Sequence, residues 1–124
     1  MNNISIYAIR CTHNSKIYIG KTRKLDNRLK NHLTNLKNNK HSNKLLQQDF
    51  NKYGEKEFEF YLIENKIDYY EGNSKERYYM ELYKTYDINF GYNKNEGYFR
   101  GNKINIIKKL PYNLSKQEEQ NKEV

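Results

Sequence analysis

Near its start the chain alternates twice between apolar and polar residues. From Ile4 to Ile9, residues Ile4, Ile6 and Ala8 fall on one face and Ser5, Tyr7 and Ile9 on the other. Lys16 to Gly20 (KIYIG) repeats the period of two, which is the periodicity of a strand. The stretch between them, Cys11-Thr12-His13-Asn14, is short and turn-prone. The two strands are therefore expected to form an antiparallel hairpin. If Arg10 pairs with Ser15, the register sets Tyr7 directly opposite Tyr18, with both phenols on one face and close enough to share a site.

Helical periods follow. Leu25, Leu29, Leu33 and Leu36 are spaced for one face of a helix over Lys24 to Leu36. At about 100° per residue, Arg28 lies roughly 60° to one side of Leu25 and His32 roughly 20° to the same side. These two form an i,i+4 pair at the edge of the buried stripe. A second helix is predicted from Ser42, as N-cap, to Tyr53, burying Leu45, Leu46 and Phe50 and stopping at Gly54. Phe58 to Ile63 (FEFYLI) reads as a third strand and about Glu71 to Tyr86 as a third helix. In that helix Tyr79, Met80 and Tyr83 are the i+3, i+4 and i+7 neighbours of Glu76, so a carboxylate falls inside the apolar stripe. Such a group needs a cation, a metal or strong donors beside it. His13 and His41, in a turn and before a helix start, read as surface residues, and Cys11 as a small hydrophobe at the hairpin end.

Composition sets the limits. A length of 124 residues is one domain's worth of chain. Apolar residues are 35 %, but thirteen Tyr and five Phe can fill a small core. A single cysteine excludes a disulfide framework and any Cys-rich zinc site, and with no apolar stretch of membrane length or signal peptide it points to an intracellular protein of the cytoplasm, nucleoid or nucleus. The net charge of +8 is unevenly placed. Residues 1–56 hold twelve basic and three acidic side chains, whereas residues 57–124 hold eleven and twelve. A one-sided basic field favours a polyanion, and in a Lys-rich chain it is also what a solvated surface looks like.

Taken together, these residues resemble a known set. Ser5-Ile6-Tyr7 and Tyr18-Ile19-Gly20 resemble the paired motif that names the GIY-YIG nucleases, with Ser5 where glycine is usual. Lys21 directly follows the second motif. Arg28 sits on the next helix, with His32 one turn later. Glu76 opens a later helix with Tyr79 and Met80 where Trp-Ile is more usual, and Gly91-Tyr92-Asn93 closes the domain. Each residue alone has an ordinary explanation as a packed aromatic, a surface cation or a turn former; it is their joint order that is specific. The resemblance spans about Ile4 to Asn95.

The resemblance implies a small α/β fold: a three-stranded, mainly antiparallel sheet flanked by helices, over residues 1–95. Residues 96–124 are expected to be a C-terminal extension, partly ordered or disordered. Within it, Asn102 to Leu110 reads as a short strand or ordered stretch and Ser115-Lys116-Gln117-Glu118 resembles a capping box. The implied activity is metal-dependent endonucleolytic hydrolysis of DNA phosphodiesters, as in homing endonucleases, with Tyr7, Tyr18, Lys21, Arg28, His32 and Asn93 in the catalytic set and Glu76 as metal ligand. The chemistry agrees. A water must lose a proton, phosphate charge must be neutralised and a leaving oxygen stabilised. A tyrosine is a poor base until cations lower its pKa. Arg28 can fork onto a phosphate and His32 can hold or relay a proton. One inward carboxylate suits a single Mg²⁺ or Mn²⁺ completed by water and phosphate oxygens. Which tyrosine is the base stays open. Two other readings are a catalytically inactive basic nucleic-acid-binding module, favoured if Glu76 faces solvent, and a structure-specific repair or recombination nuclease acting with a partner protein. About thirty residues follow Asn93, without a zinc-finger or helix-turn-helix signature, so specificity is expected to be weak or supplied by a partner. The oligomeric state is not legible.

Overall fold

The central element is β1 (Asn3–Cys11), which pairs antiparallel with β2 (Ile17–Thr22) on one side and β3 (Phe58–Asp68) on the other. Helices α1 (Leu25–Lys37) and α2 (Lys44–Tyr53) lie between β2 and β3 in sequence, and α3 (Gly72–Tyr83) follows β3. The computed structural model describes residues 3–94. The expected extension, with the Asn102–Leu110 stretch and the capping box at Ser115, lies outside them. Among the described residues no helix is long and apolar enough to cross a membrane.

A chain with few apolar residues builds this fold by using both faces of β1. Ile4, Ile6 and Ala8 pack with Ile19, Tyr61, Met80 and Tyr83, so α3 covers that face. Tyr7, Ile9 and Cys11 pack with Leu36, Leu46, Phe50 and Tyr92 on the opposite face, where Leu25, Leu29 and Leu33 of α1 add a half-buried fringe. Ile6, Ile9 and Ile19 lose all contact with solvent. Each is worth about 2 kcal/mol by burial, which lets a short strand anchor two layers.

Several boundaries differ from the sequence expectation. The hairpin pairs Arg10 with Ile17, so Tyr7 stands opposite Gly20 and Tyr18 opposite Ile9, two residues from the expected register. The turn is longer because Cys11 and Lys16 still pair and Ser15 takes a left-handed conformation (φ 64°). A shift of two keeps every side chain on its face, so both phenols still share one side. The N-cap of α2 is Asn43, whose Oδ1 accepts the Leu46 N–H at 3.0 Å, rather than Ser42. Strand β3 runs five residues past Ile63 because, beyond a bulge, its polar end still pairs with the start of β1. Helix α3 stops at Tyr83, where Lys84 turns left-handed (φ 54°), although the buried pattern continues through Thr85.

Strand β2 lies at the edge of the sheet, and its first half is covered. Residues 90–93 run beside it: the Ile17 N–H donates to the Phe90 carbonyl at 3.2 Å and the Tyr92 N–H to the Ile17 carbonyl at 3.0 Å. Only glycine fits at position 91, because a Cβ there would overlap the backbone of Thr85 and Ile17. Lys21 and Thr22, further along β2, lie beyond this cover.

Candidate active site

The site grows from one cross-strand neighbourhood. Tyr7 on β1 folds its ring over Gly20 of β2, which has no side chain to oppose it; a Cβ at Gly20 would overlap the hydroxyl end of the ring. Tyr18, diagonal to Tyr7, brings its ring centroid within 6.4 Å. Helix α1 crosses this face and supplies His32, 4 % exposed, whose ring lies 5.4 Å from that of Tyr7 and 5.5 Å from that of Tyr18. One turn earlier, Arg28 keeps its stem exposed and returns its guanidinium to the phenols, donating from Nε to the Tyr7 Oη at 3.3 Å. The i,i+4 pair thus sits on the edge of the buried stripe, as its phase predicts.

Lys21 and Glu76 approach from the other side of the edge strand. Lys21 points toward the α3 face, where its stem passes close to Gly72. Glu76 is half-buried on the first turns of α3, within electrostatic reach of Lys21 and of both phenols. Of the seven residues singled out in sequence, six therefore lie around β2, with Glu76 within electrostatic reach of the two phenols. The seventh, Asn93, works from behind. Its Oδ1 accepts the Ile19 N–H at 2.8 Å and its Nδ2 donates to the Ile19 carbonyl at 2.9 Å. Both ends of the amide are thereby used on the backbone between Tyr18 and Gly20, which makes Asn93 a positioning residue for that strand. Asn93→Ala should lower stability by about 1–3 kcal/mol, read as a fall in the thermal midpoint, because two buried backbone groups lose their partners. A midpoint equal to that of the unmodified chain would remove this role.

Burial dominates the electrostatics. It raises the Tyr7 phenol well above its ordinary value, with Tyr18 adding to the rise and the Arg28 hydrogen bond opposing it. Tyr18 is raised by burial and lowered by Arg28. Arg28 is held still more firmly protonated by its hydrogen bond to Tyr7. Burial raises the Glu76 carboxyl, and Lys21 partly offsets it. His32 is pushed down to about 3 by burial, with Arg28 and His41 acting in the same direction. A histidine held neutral in this way offers one ring nitrogen as a donor and the other as an acceptor.

His41 corrects the sequence expectation most sharply. It is 9 % exposed rather than on the surface, and its Nε2 lies 2.7 Å from the His32 Nδ1. Its Nδ1 accepts the Asn43 backbone N–H at 3.0 Å, and the His41 backbone N–H donates to the Gln47 Oε1 at 3.0 Å. No periodicity phases a residue in a loop; the available signal was the Asn43 cap two residues on, which folds the loop inward. His13 is exposed, as expected, and stacks on Tyr53 at 4.0 Å between centroids. Ser5, at the position where glycine is usual, donates to the Asn65 Oδ1 at 3.1 Å on β3. Among the described residues no three His, Cys, Asp or Glu side chains converge as a metal cage.

This arrangement has relatives. The family profile of the GIY-YIG catalytic domain matches residues 3–93. No curated protein sequence gives a significant match. Among solved structures, the catalytic domain of intron endonuclease I-TevI, in a mutant form, aligns with a TM-score of 0.67 at 31 % identity, covering 79 % of this chain and 99 % of that one. A structure of the catalytic domain of homing endonuclease I-TevI aligns with a TM-score of 0.67 at 32 % identity, covering 75 % and 99 % respectively. The chain belongs to the GIY-YIG family and carries its endonuclease domain.

Proposed function

We propose that this domain cuts DNA by metal-dependent phosphodiester hydrolysis in the manner of a homing endonuclease. The observation that carries this reading is the convergence of two phenols, a guanidinium and a half-buried carboxylate at one edge of the sheet. A carboxylate facing solvent would favour an inactive binding module; Glu76 instead acts electrostatically on both phenols.

The residues divide the work. Arg28 has five N–H donors, of which the phenols take only a part, so the guanidinium can also hold a non-bridging phosphate oxygen. It stabilises the charge that builds there in the transition state. Tyr7 is wholly buried, whereas Tyr18 is half-buried, and this difference in exposure supports assigning Tyr18 the contact with the attacking water. Lys21 supplies a second positive charge beside Glu76. Glu76 fits a single Mg²⁺ or Mn²⁺: one hard oxygen donor, with the remaining positions left to water and phosphate. When bound, that ion adds the positive charge that makes a phenolate and a leaving oxyanion accessible near neutral pH. Exposed Lys21, Arg23, Lys24, Arg28 and Lys30 give the backbone of the duplex its electrostatic footing.

The test is nicking of supercoiled plasmid in Mg²⁺, in Mn²⁺ and in EDTA. Nicked product in either metal and none in EDTA is expected, and tight binding without cutting in any metal would leave only the binding module. Affinity measured in calcium should fall roughly tenfold or more between about 50 and about 200 mM salt, as several phosphate contacts require. A flat affinity would make the basic half a solvated surface and nothing more.

A further inference from the structure

A chain of hydrogen bonds enters the site from behind, and its direction is fixed at its far end. The Asn43 backbone N–H can only donate, and it meets the His41 Nδ1 at 3.0 Å. That nitrogen must be an acceptor, so a neutral His41 carries its proton on Nε2. The His41 Nε2 lies 2.7 Å from the His32 Nδ1, which must in turn accept and leave the His32 proton on Nε2. The His32 Nε2 lies 2.6 Å from the Tyr7 Oη and therefore donates to it. The Tyr7 oxygen receives a second donor, the Arg28 Nε at 3.3 Å. Its own proton is left free of both, and Tyr18 is the side chain that a hydrogen bond from Tyr7 reaches.

We propose that His41 is a positioning residue that sets the tautomer of His32, so that His32 donates to the Tyr7 hydroxyl and never accepts its proton. This deepens the nuclease reading and rests on it only for its catalytic consequence: the buried Tyr7 serves as an oriented donor toward Tyr18 and not as a base emptied into His32.

Two further facts support the assignment. The reverse direction would require His41 to accept at both ring nitrogens at once, which a neutral imidazole cannot do. The loop that carries His41 is also fixed, because the His41 backbone N–H donates to the Gln47 Oε1, and the Gln47 Nε2 donates to the Leu36 carbonyl at 2.9 Å. The groups facing the pair are Tyr7 on β1, Tyr18 on β2 and Arg28 on α1, with Glu76 of α3 acting on the two phenols. Burial and then Arg28 disfavour a charged ring at both imidazoles, with the backbone hydrogen bond at Asn43 opposing them at His41.

Nitrogen-15 NMR of the imidazoles reads the tautomers directly and does not depend on cleavage. The expected spectrum of the full chain has both His32 and His41 as Nε2–H tautomers, with His32 gaining no second proton down to about pH 5. A His32 protonated on Nδ1, or one titrating near its ordinary value, would overturn the proposal. His41→Phe removes the donor, so His32 should populate the Nδ1–H form, and kcat for nicking should fall about tenfold or more with KM for DNA little changed. His41→Gln, whose amide N–H can occupy the place of the imidazole Nε2–H, should keep the His32 tautomer and recover most of kcat. Equal loss in both variants with the His32 tautomer unchanged would make His41 a packing residue and nothing else. If His41→Phe fails to fold, the spectra of the unmodified chain and of His41→Gln still decide. If the unmodified chain shows the expected tautomers but does not cut DNA, the nuclease reading fails while the proton chain stands.

Discussion

Glu76→Gln should abolish nicking, by about a thousandfold or more, while DNA binding in calcium stays equal or tightens. The substitution is nearly isosteric, so the helix and its packing remain and only the negative charge goes. A neutral amide is a poor ligand for a hard divalent cation and no longer balances Lys21. Binding is spared because the lost charge repels phosphate. Arg28→Ala should lower both cutting and binding, since the guanidinium touches phosphate in the ground state as well as the transition state. Stability provides an independent check on the same carboxylate. Burial raises its pKa in the folded state, so the fold is most favoured where the group is protonated and loses stability as pH rises through the raised value. In EDTA, Glu76→Gln should therefore raise the thermal midpoint near neutral pH, with the gain shrinking toward acid pH. A variant that cuts as fast as the unmodified chain would remove Glu76 as the metal ligand; one that is no more stable at neutral pH would show that the carboxylate is comfortably solvated.

The parts of this site that were legible in sequence are those governed by a period. Period two put Tyr7 and Tyr18 on one face, and that survived an error of two residues in register because an even shift moves no side chain across the sheet. Helical phase placed Arg28 and His32 at the edge of the buried stripe, and Glu76 inside its own. What escaped was set by tertiary contact. The inward position of His41 depends on Asn43 capping α2 and on Gln47 reaching back to the loop, neither of which has a periodic signature. The polar end of β3 pairs with β1 although it does not alternate, because strand pairing there is decided by the neighbouring backbone. The motif alone points to Asn93; that its amide grips the backbone of β2 follows only from knowing that residues 90–93 run alongside that strand.

Gly20→Ala should be severely destabilising for a single added methyl, costing about 3 kcal/mol or more and depleting the folded form. The new Cβ would overlap the Tyr7 ring, and that ring has little freedom to yield. Tyr7 is wholly buried on the central strand, with His32 bonded to its hydroxyl at 2.6 Å and Arg28 at 3.3 Å. Turning it aside breaks both bonds and strands buried polar groups, so steric and polar costs add. A glycine opposed by an aromatic across two strands is a stable pairing, since the ring covers backbone that would otherwise be bare. Ser5→Gly, which restores the residue usual in the first motif, gives up only a surface hydrogen bond to Asn65 and should change stability by less than about 1 kcal/mol. Denaturant unfolding of the variants separates the causes. If the clash is the reason, adding Tyr7→Leu to Gly20→Ala should cost far less than the sum of the two single changes, because the smaller side chain vacates the space. Strict additivity would mean that Gly20 matters for its backbone and not for the room it leaves to Tyr7.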